Sequence, residues 1–159
     1  MSHIRGILVY LVTHQDSDSG TDDWIYLGLW GTDGGREFPL ASDQIDDFET
    51  SSARYYHLGR VPPGELPSDA VRPHQTAPGE ANDPEPLDIE LNSVQHVYLR
   101  KAEYGSYPDG DNAYKLGYVY VALYGVSERP ARTFNLLIPE NKGLWLANGN
   151  GHRAWLKPI

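Results

Sequence analysis

Apolar and polar residues alternate with a period of two along much of the chain, and the runs are short. Residues 24–30 place Trp24, Tyr26, Gly28 and Trp30 on one side and Ile25, Leu27 and Leu29 on the other. Residues 117–126 do the same with Tyr118, Tyr120, Ala122 and Tyr124 against Val119, Val121 and Leu123. A period of two is the side-chain period of a β-strand, so both runs predict strands with two distinct faces. Residues 4–13 form a nearly continuous apolar run and predict a strand buried on both sides. Further strands are predicted over 36–40, 54–60, 87–91, 94–101, 132–138, 144–147 and 152–156. The Thr32-Asp33-Gly34-Gly35 segment is a hairpin turn, because an Asp-Gly pair tolerates the positive φ such turns need. The pattern shows neither a convincing amphipathic helix nor an internal repeat. Eight or nine short strands with connections of unequal length predict an all-β chain, an antiparallel β-sandwich, with a jelly roll or barrel as the alternatives.

Two segments depart from the alternation. Residues 61–86 hold seven of the twelve prolines and few large apolar residues. They predict a long surface loop inserted into one domain spanning 1–159, not a domain boundary. Residues 102–114 are a second polar loop, with Tyr104, Tyr107, Asp109 and Asp111.

Composition narrows the chemistry. A chain of 159 residues is long enough for one core. The absence of cysteine excludes disulfides, thiolate zinc sites and cysteine nucleophiles. The six histidines form no closely spaced pair, which disfavours zinc, and no Gly-x-Ser-x-Gly elbow occurs. No catalytic motif is present, and a non-enzyme is expected. No apolar run reaches the roughly 20 residues of a membrane span, and the start lacks the core of a signal peptide. A cytoplasmic protein is expected as the sequence is written, with peripheral membrane association or non-classical export left open.

Charge changes the picture more. Between His14 and Thr50 lie ten acids and one base, Arg36, whereas the rest of the chain carries twelve of each. The whole net charge of −9 therefore resides in one segment. Such a chain offers no basic stripe for nucleic acid. Asp16, Asp18, Asp22 and Asp23 fall within eight residues around Ser19-Gly20. Carboxylates and carbonyls at a tight glycine turn suit a hard cation such as calcium, whereas a solvated acidic face gives the same count. The EF-hand pattern is excluded, since Leu27 stands where its bidentate glutamate would be.

The segment from Asp18 to Gly35 resembles the opening of PLAT (lipoxygenase-homology, LH2, C2-like) domains, in which a strand enters a Gly-Thr-Asp loop and leaves as an apolar strand. The likeness continues through Asp46-Asp47-Phe48-Glu49, Val97-Tyr-Leu-Arg-Lys101 and Tyr104-Gly-Ser-Tyr-Pro-Asp109, and these last two look most like the C-terminal domain of clostridial alpha-toxin, a phospholipase C. The resemblance covers nearly all the chain except 61–86. It implies an eight-stranded sandwich with calcium, one to three ions, held between loops at one end. One implied site comprises Asp18, the Gly20 carbonyl, Asp109 and Gly110. A second comprises Thr21, Asp43, the Ile45 carbonyl and Asp47, with Asp46 nearby, although the intermediate loop is one residue shorter than the toxin's. Tyr104 and Tyr107 match residues that enter lipid in the toxin domain.

The implied function is a non-catalytic calcium-binding module for calcium-dependent association with a phospholipid membrane or a protein. Two alternatives stand beside it. One is an interaction adaptor that uses the aromatic sheet faces, Trp24 and Trp30 among them, with calcium structural or absent. The other is a sugar-binding sandwich. The aromatic faces are expected to be covered largely by the chain itself.

Overall fold

The alternating runs fold as strands. A computed structural model describes residues 2–21, 23–42, 47–73, 82–102, 113–139, 141–147 and 151–159. Nine strands are found among them: β1 (Gly6–Thr13), β2 (Trp24–Gly31), β3 (Gly34–Pro39), β4 (Ala53–Gly59), β5 (Val94–Ala102), β6 (Tyr114–Tyr124), β7 (Arg132–Leu136), β8 (Leu144–Leu146) and β9 (Arg153–Pro158). All their pairings are antiparallel.

Two layers result. One has the order β3-β2-β5-β9 and the other β7-β6-β1-β4, with β8 paired to β6 as well. The β7 and β8 strands occupy successive stretches of one β6 edge, residues 119–123 and 114–116. The β9 strand joins the layers: Arg153 to Leu156 pair with β5, and Lys157 and Pro158 pair with β7. The fold is thus an antiparallel β-sandwich of the C2-like, PLAT type made by one curled sheet.

The aliphatic side of each alternating run faces the space between layers. Ile25, Leu27 and Leu29 of β2 and Val97 and Leu99 of β5 join Ile7, Val9 and Leu11 of β1 and Val119, Val121 and Leu123 of β6 in a single buried cluster. Each such side chain stabilises the fold by roughly 1.5–3 kcal/mol relative to exposure.

The 87–91 segment corrects the sequence reading. It is not a strand but lies between two short 3-10 turns, Glu85–Leu87 and Leu91–Ser93. Pro84 and Pro86 remove backbone donors, and Asp88 turns the chain with φ 50°. Only Glu90 pairs there, through an isolated bridge to His3.

The proline-rich segment does more than cross the surface. Val61 and Leu66 pack on a second small cluster of Leu8, Ala122 and Tyr124, with Tyr55 and Tyr120 at its edge. Val71 donates its N–H to the Tyr55 carbonyl and accepts from the His57 N–H. The segment thus straps the outer face of β4, β1 and β6, and the expected covering holds there. The outer face of the other layer is more open. Its Trp30 and Trp155 are 58% and 53% exposed, whereas Tyr98 is buried. Gly28 has no side chain because the Tyr98 ring lies where one would be, 2.0 Å from an added Cβ.

Candidate cation-binding end

Backbone hydrogen bonds lace the acidic loops together at one end of the sandwich. The Thr21 N–H donates to the Phe48 carbonyl at 3.1 Å, and the Ser51 N–H donates to the His14 carbonyl at 3.2 Å. The Gly20 N–H donates to Thr50 Oγ1 at 3.2 Å. A Cβ on Gly20 would meet the Phe48 carbonyl oxygen at 2.8 Å, so only glycine permits this approach. The loop after β1 and the loop before β4 are therefore one unit, with Gly20 and Thr21 beside the Asp47–Glu49 turn.

The third acidic segment departs from this same end. Ala102, the last residue of β5, pairs with Trp24, the first of β2. The N–H of Lys115, at the start of β6, donates to the Ser19 carbonyl at 2.9 Å. The strands flanking 103–112 thus end and begin against the first acidic loop. Tyr104, Tyr107, Asp109 and Gly110 lie outside the described residues, as do Asp43, Ile45 and Asp46.

The acids of the first loop do not share one fate. Lys115 Nζ binds the Asp16 carboxylate. That hydrogen bond holds the Asp16 carboxyl below its ordinary range, with His14 adding to the effect. Lys101 Nζ lies 2.6 Å from Asp23 Oδ2, and both side chains are buried. In the sequence the loop has no base near it. In the structure two lysines more than 75 residues downstream neutralise two of its carboxylates. Neither lysine was a candidate from sequence, and the only signal for Lys101 was a charged residue on the inward, aliphatic side of the 94–101 alternation.

Asp18 differs. Its side chain is exposed and its backbone is left-handed, at φ 61°. Aspartate tolerates that conformation better than most residues. Beside it, the Ser19 hydroxyl is buried without a hydrogen-bond partner among the described residues. An exposed carboxylate next to an uncommitted buried oxygen is hard-oxygen chemistry, and this part of the first implied calcium site fits the ion. The described part of the second site is committed to the fold. Asp47 accepts from Tyr56 Oη at 2.8 Å and from the Ser42 N–H. Thr21 Oγ1 accepts from the Asp23 N–H at 3.1 Å. Burial, with Asp47 next, raises the Tyr56 phenol far above its usual value, so it remains a donor. Among the described residues no three His, Asp or Glu side chains form a metal-ligand cluster.

The sandwich topology defines a C2-like fold. Solved structures bear out the resemblance. The alpha-toxin of Clostridium absonum matches over 98% of this chain at TM-score 0.62 and 18% identity, and the alpha-toxin of an avian strain of Clostridium perfringens over 98% at 0.61 and 18%. Coral 8R-lipoxygenase, described as activated by calcium through a C2-like domain, matches over 96% at TM-score 0.55 and 17% identity. The chain spans about a third of the toxins, 32%, and 17% of the lipoxygenase. At these identities the likeness is one of fold. No protein-family model matches the chain, and no curated protein matches it by sequence.

Proposed function

We propose that this chain is a non-catalytic, calcium-binding module that associates with a phospholipid surface or a protein when calcium is present. The observation that carries this reading is the Asp18–Ser19–Gly20 turn. It keeps an exposed carboxylate, and a buried hydroxyl with no partner among the described residues, in a loop whose other described acids already have lysine partners. Asp18 and the Gly20 carbonyl would hold the ion from this side, with Asp109 and Gly110 from the other loop. Calcium would supply positive charge that offsets the acidic end and can accept phosphate or carboxylate oxygens. The coral lipoxygenase, a fold neighbour whose C2-like domain is tied to calcium activation, supports the same reading.

Ligand linkage gives the test. Calcium should raise the melting temperature with concentration, following RT ln(1 + [L]/Kd). Asp18→Asn should leave the melting temperature without calcium nearly unchanged and remove most of that rise. In sedimentation with anionic vesicles, the protein should pellet only with calcium. A melting temperature indifferent to calcium and chelator would refute the reading.

A second reading rests on the open outer face of β3-β2-β5-β9. Trp30 and Trp155 are exposed there, and Arg100 lies 4.6 Å over the Tyr26 ring and 2.6 Å from Glu37 Oε2. Exposed tryptophans on a surface held by cation–π and ionic contacts suit a protein or sugar partner. Binding that persists in chelator and is lost in Trp30→Ala with Trp155→Ala would favour it.

A further inference from the structure

Two rings on the outer face of β3-β2-β5-β9 lie down on glycines. A Cβ added to Gly28 would fall on the Tyr98 ring, 2.0, 2.4 and 2.3 Å from Cζ, Cε1 and Cε2. A Cβ on Gly35 would meet Trp30 Cε3 at 2.6 Å and Cζ3 at 3.3 Å. Trp30 therefore leans across the neighbouring strand instead of standing off the sheet, and it stays 58% exposed.

Tyr98 is the seat for two more groups. The Trp155 ring packs on it at 4.9 Å, tilted by 51°, and the Arg153 guanidinium lies 5.6 Å from its centroid. His96, itself exposed, meets the Trp155 ring at 5.8 Å and pairs with Trp30 across the strands. Trp30, His96 and Trp155 thus run diagonally over three strands. Two strand spacings across and two residues along separate the tryptophan backbones by ~12 Å. That span is wider than one pyranose ring.

The charges of this face leave one cation open. Arg100 is committed to Glu37, 2.6 Å away, and lies over Tyr26. Arg153 is exposed and makes no ion pair among the described residues. In a molecule of net charge −9, this guanidinium is opposite in sign to its surroundings and complements an anion.

The posture of the rings selects the occupant. A tryptophan that anchors a protein interface fills a pocket of its partner, whereas one lying along a sheet offers a face. The negative face of an indole attracts the polarised C–H bonds of a sugar ring, and a guanidinium forks onto a carboxylate. We infer that this face binds an extended, β-1,4-linked oligosaccharide of uronic acids, its sugar rings stacked on Trp30 and Trp155 and a carboxylate on Arg153. The linkage follows from the spread of the rings over one sheet face, which meets a ribbon-like chain and not a coiled one. The inference rests on the second reading above, that the open face is a contact surface, and names its occupant. Calcium plays no part in it.

The test uses the whole chain in chelator. A β-1,4-linked mannuronate hexamer, cellohexaose and maltohexaose are titrated, with tryptophan fluorescence and the indole N–H signals as readouts. The mannuronate hexamer should bind about tenfold more tightly than cellohexaose, which lacks the carboxylates, and more tightly still than the coiled maltohexaose. Trp30→Ala and Trp155→Ala should each weaken that binding about tenfold, and Trp30→Phe less. Arg153→Gln should remove the preference over cellohexaose. Where an alanine variant melts early, phenylalanine at the same position carries the comparison. If the mannuronate hexamer does not bind, binds no better than maltohexaose, or binds both tryptophan variants as it binds the parent, the inference is wrong. Calcium-independent binding of a protein or of anionic vesicles that is lost in the tryptophan double variant, with no sugar bound, would overturn the sugar and keep the open face as a contact surface. Absence of all such binding would overturn both.

Discussion

The two ends of the sandwich handle charge in opposite ways. At the acidic end, the fold brings Lys101 and Lys115 to Asp23 and Asp16 and leaves Asp18 facing solvent. At the far end, Arg5, Arg60 and Arg72 border an open groove, and burial lowers the His57 imidazole there to about 4. One end satisfies most of its described charges within the chain. The other gathers three arginines along one groove, and pairs Arg60 with Glu85 there. A high density of like charge in sequence is therefore a poor guide to where a charge is available for a ligand. The segment carrying the whole net charge is partly neutralised by distant residues, Lys101 and Lys115.

The largest expected effect tests the internal neutralisation. Lys101→Met removes a fully buried ammonium and leaves Asp23 buried without it. Breaking a buried pair from one side costs about 3–5 kcal/mol. Denaturant unfolding should show a loss of that size, and adding Asp23→Leu should restore most of it. A single variant as stable as the parent would mean that the acidic end does not depend on this pair.

A smaller effect should appear at the other end as pH falls. The His57 imidazole titrates at about 4 in the folded chain, below its ordinary 6.5. The unfolded chain therefore takes up this proton first, and the folded state loses stability as pH drops from about 6.5 toward 4. The loss should be on the order of 1 kcal/mol per pH unit at most. Arg5, Arg60, Arg72 and Glu128 line the same groove, and the arginines do not titrate in this window. His57→Gln should flatten the curve between those values, as measured by urea midpoints across pH. An equal slope in the variant would move the effect elsewhere.

The least effect is expected from the exposed partner of the acidic end. Lys115→Gln should destabilise less than Lys101→Met, because the Asp16 carboxylate is about half exposed and salt screens it. Raising the ionic strength should shrink the difference between variant and parent. The Asp16 contribution has the opposite pH sense from a raised group. Its carboxyl sits below 3.8 in the folded state, so its contribution is present above that value and is lost as pH falls below it. This window lies below that of His57, and the two can be separated in one pH series.

Much of the fold was legible in the chain. The two-residue periods of 24–30 and 117–126 gave β2 and β6, and Asp33-Gly34 gave the hairpin between β2 and β3, because pleat and turn are local physics. The failure at 87–91 is also local in origin. Leu87, Ile89 and Leu91 alternate as a strand would, but two nearby prolines and a left-handed Asp88 leave only Glu90 with a bridge partner. The candidate site was legible in part. The Gly-Thr-Asp loop and the Asp47 turn do meet. Asp47, however, turned out to hold Tyr56 and the Ser42 amide.

What the sequence determined alone was the strand inventory, the inward aliphatic set and the concentration of acids between His14 and Thr50, since each depends on neighbours within a few positions. Only the tertiary structure decided which cation meets which acid and where a groove forms. Lys101 reaches Asp23 because β5 pairs with β2, and Arg5 and Arg72 line one groove because the strap returns across β1 and β4. Those encounters depend on strand order and register, and no short stretch of chain contains either.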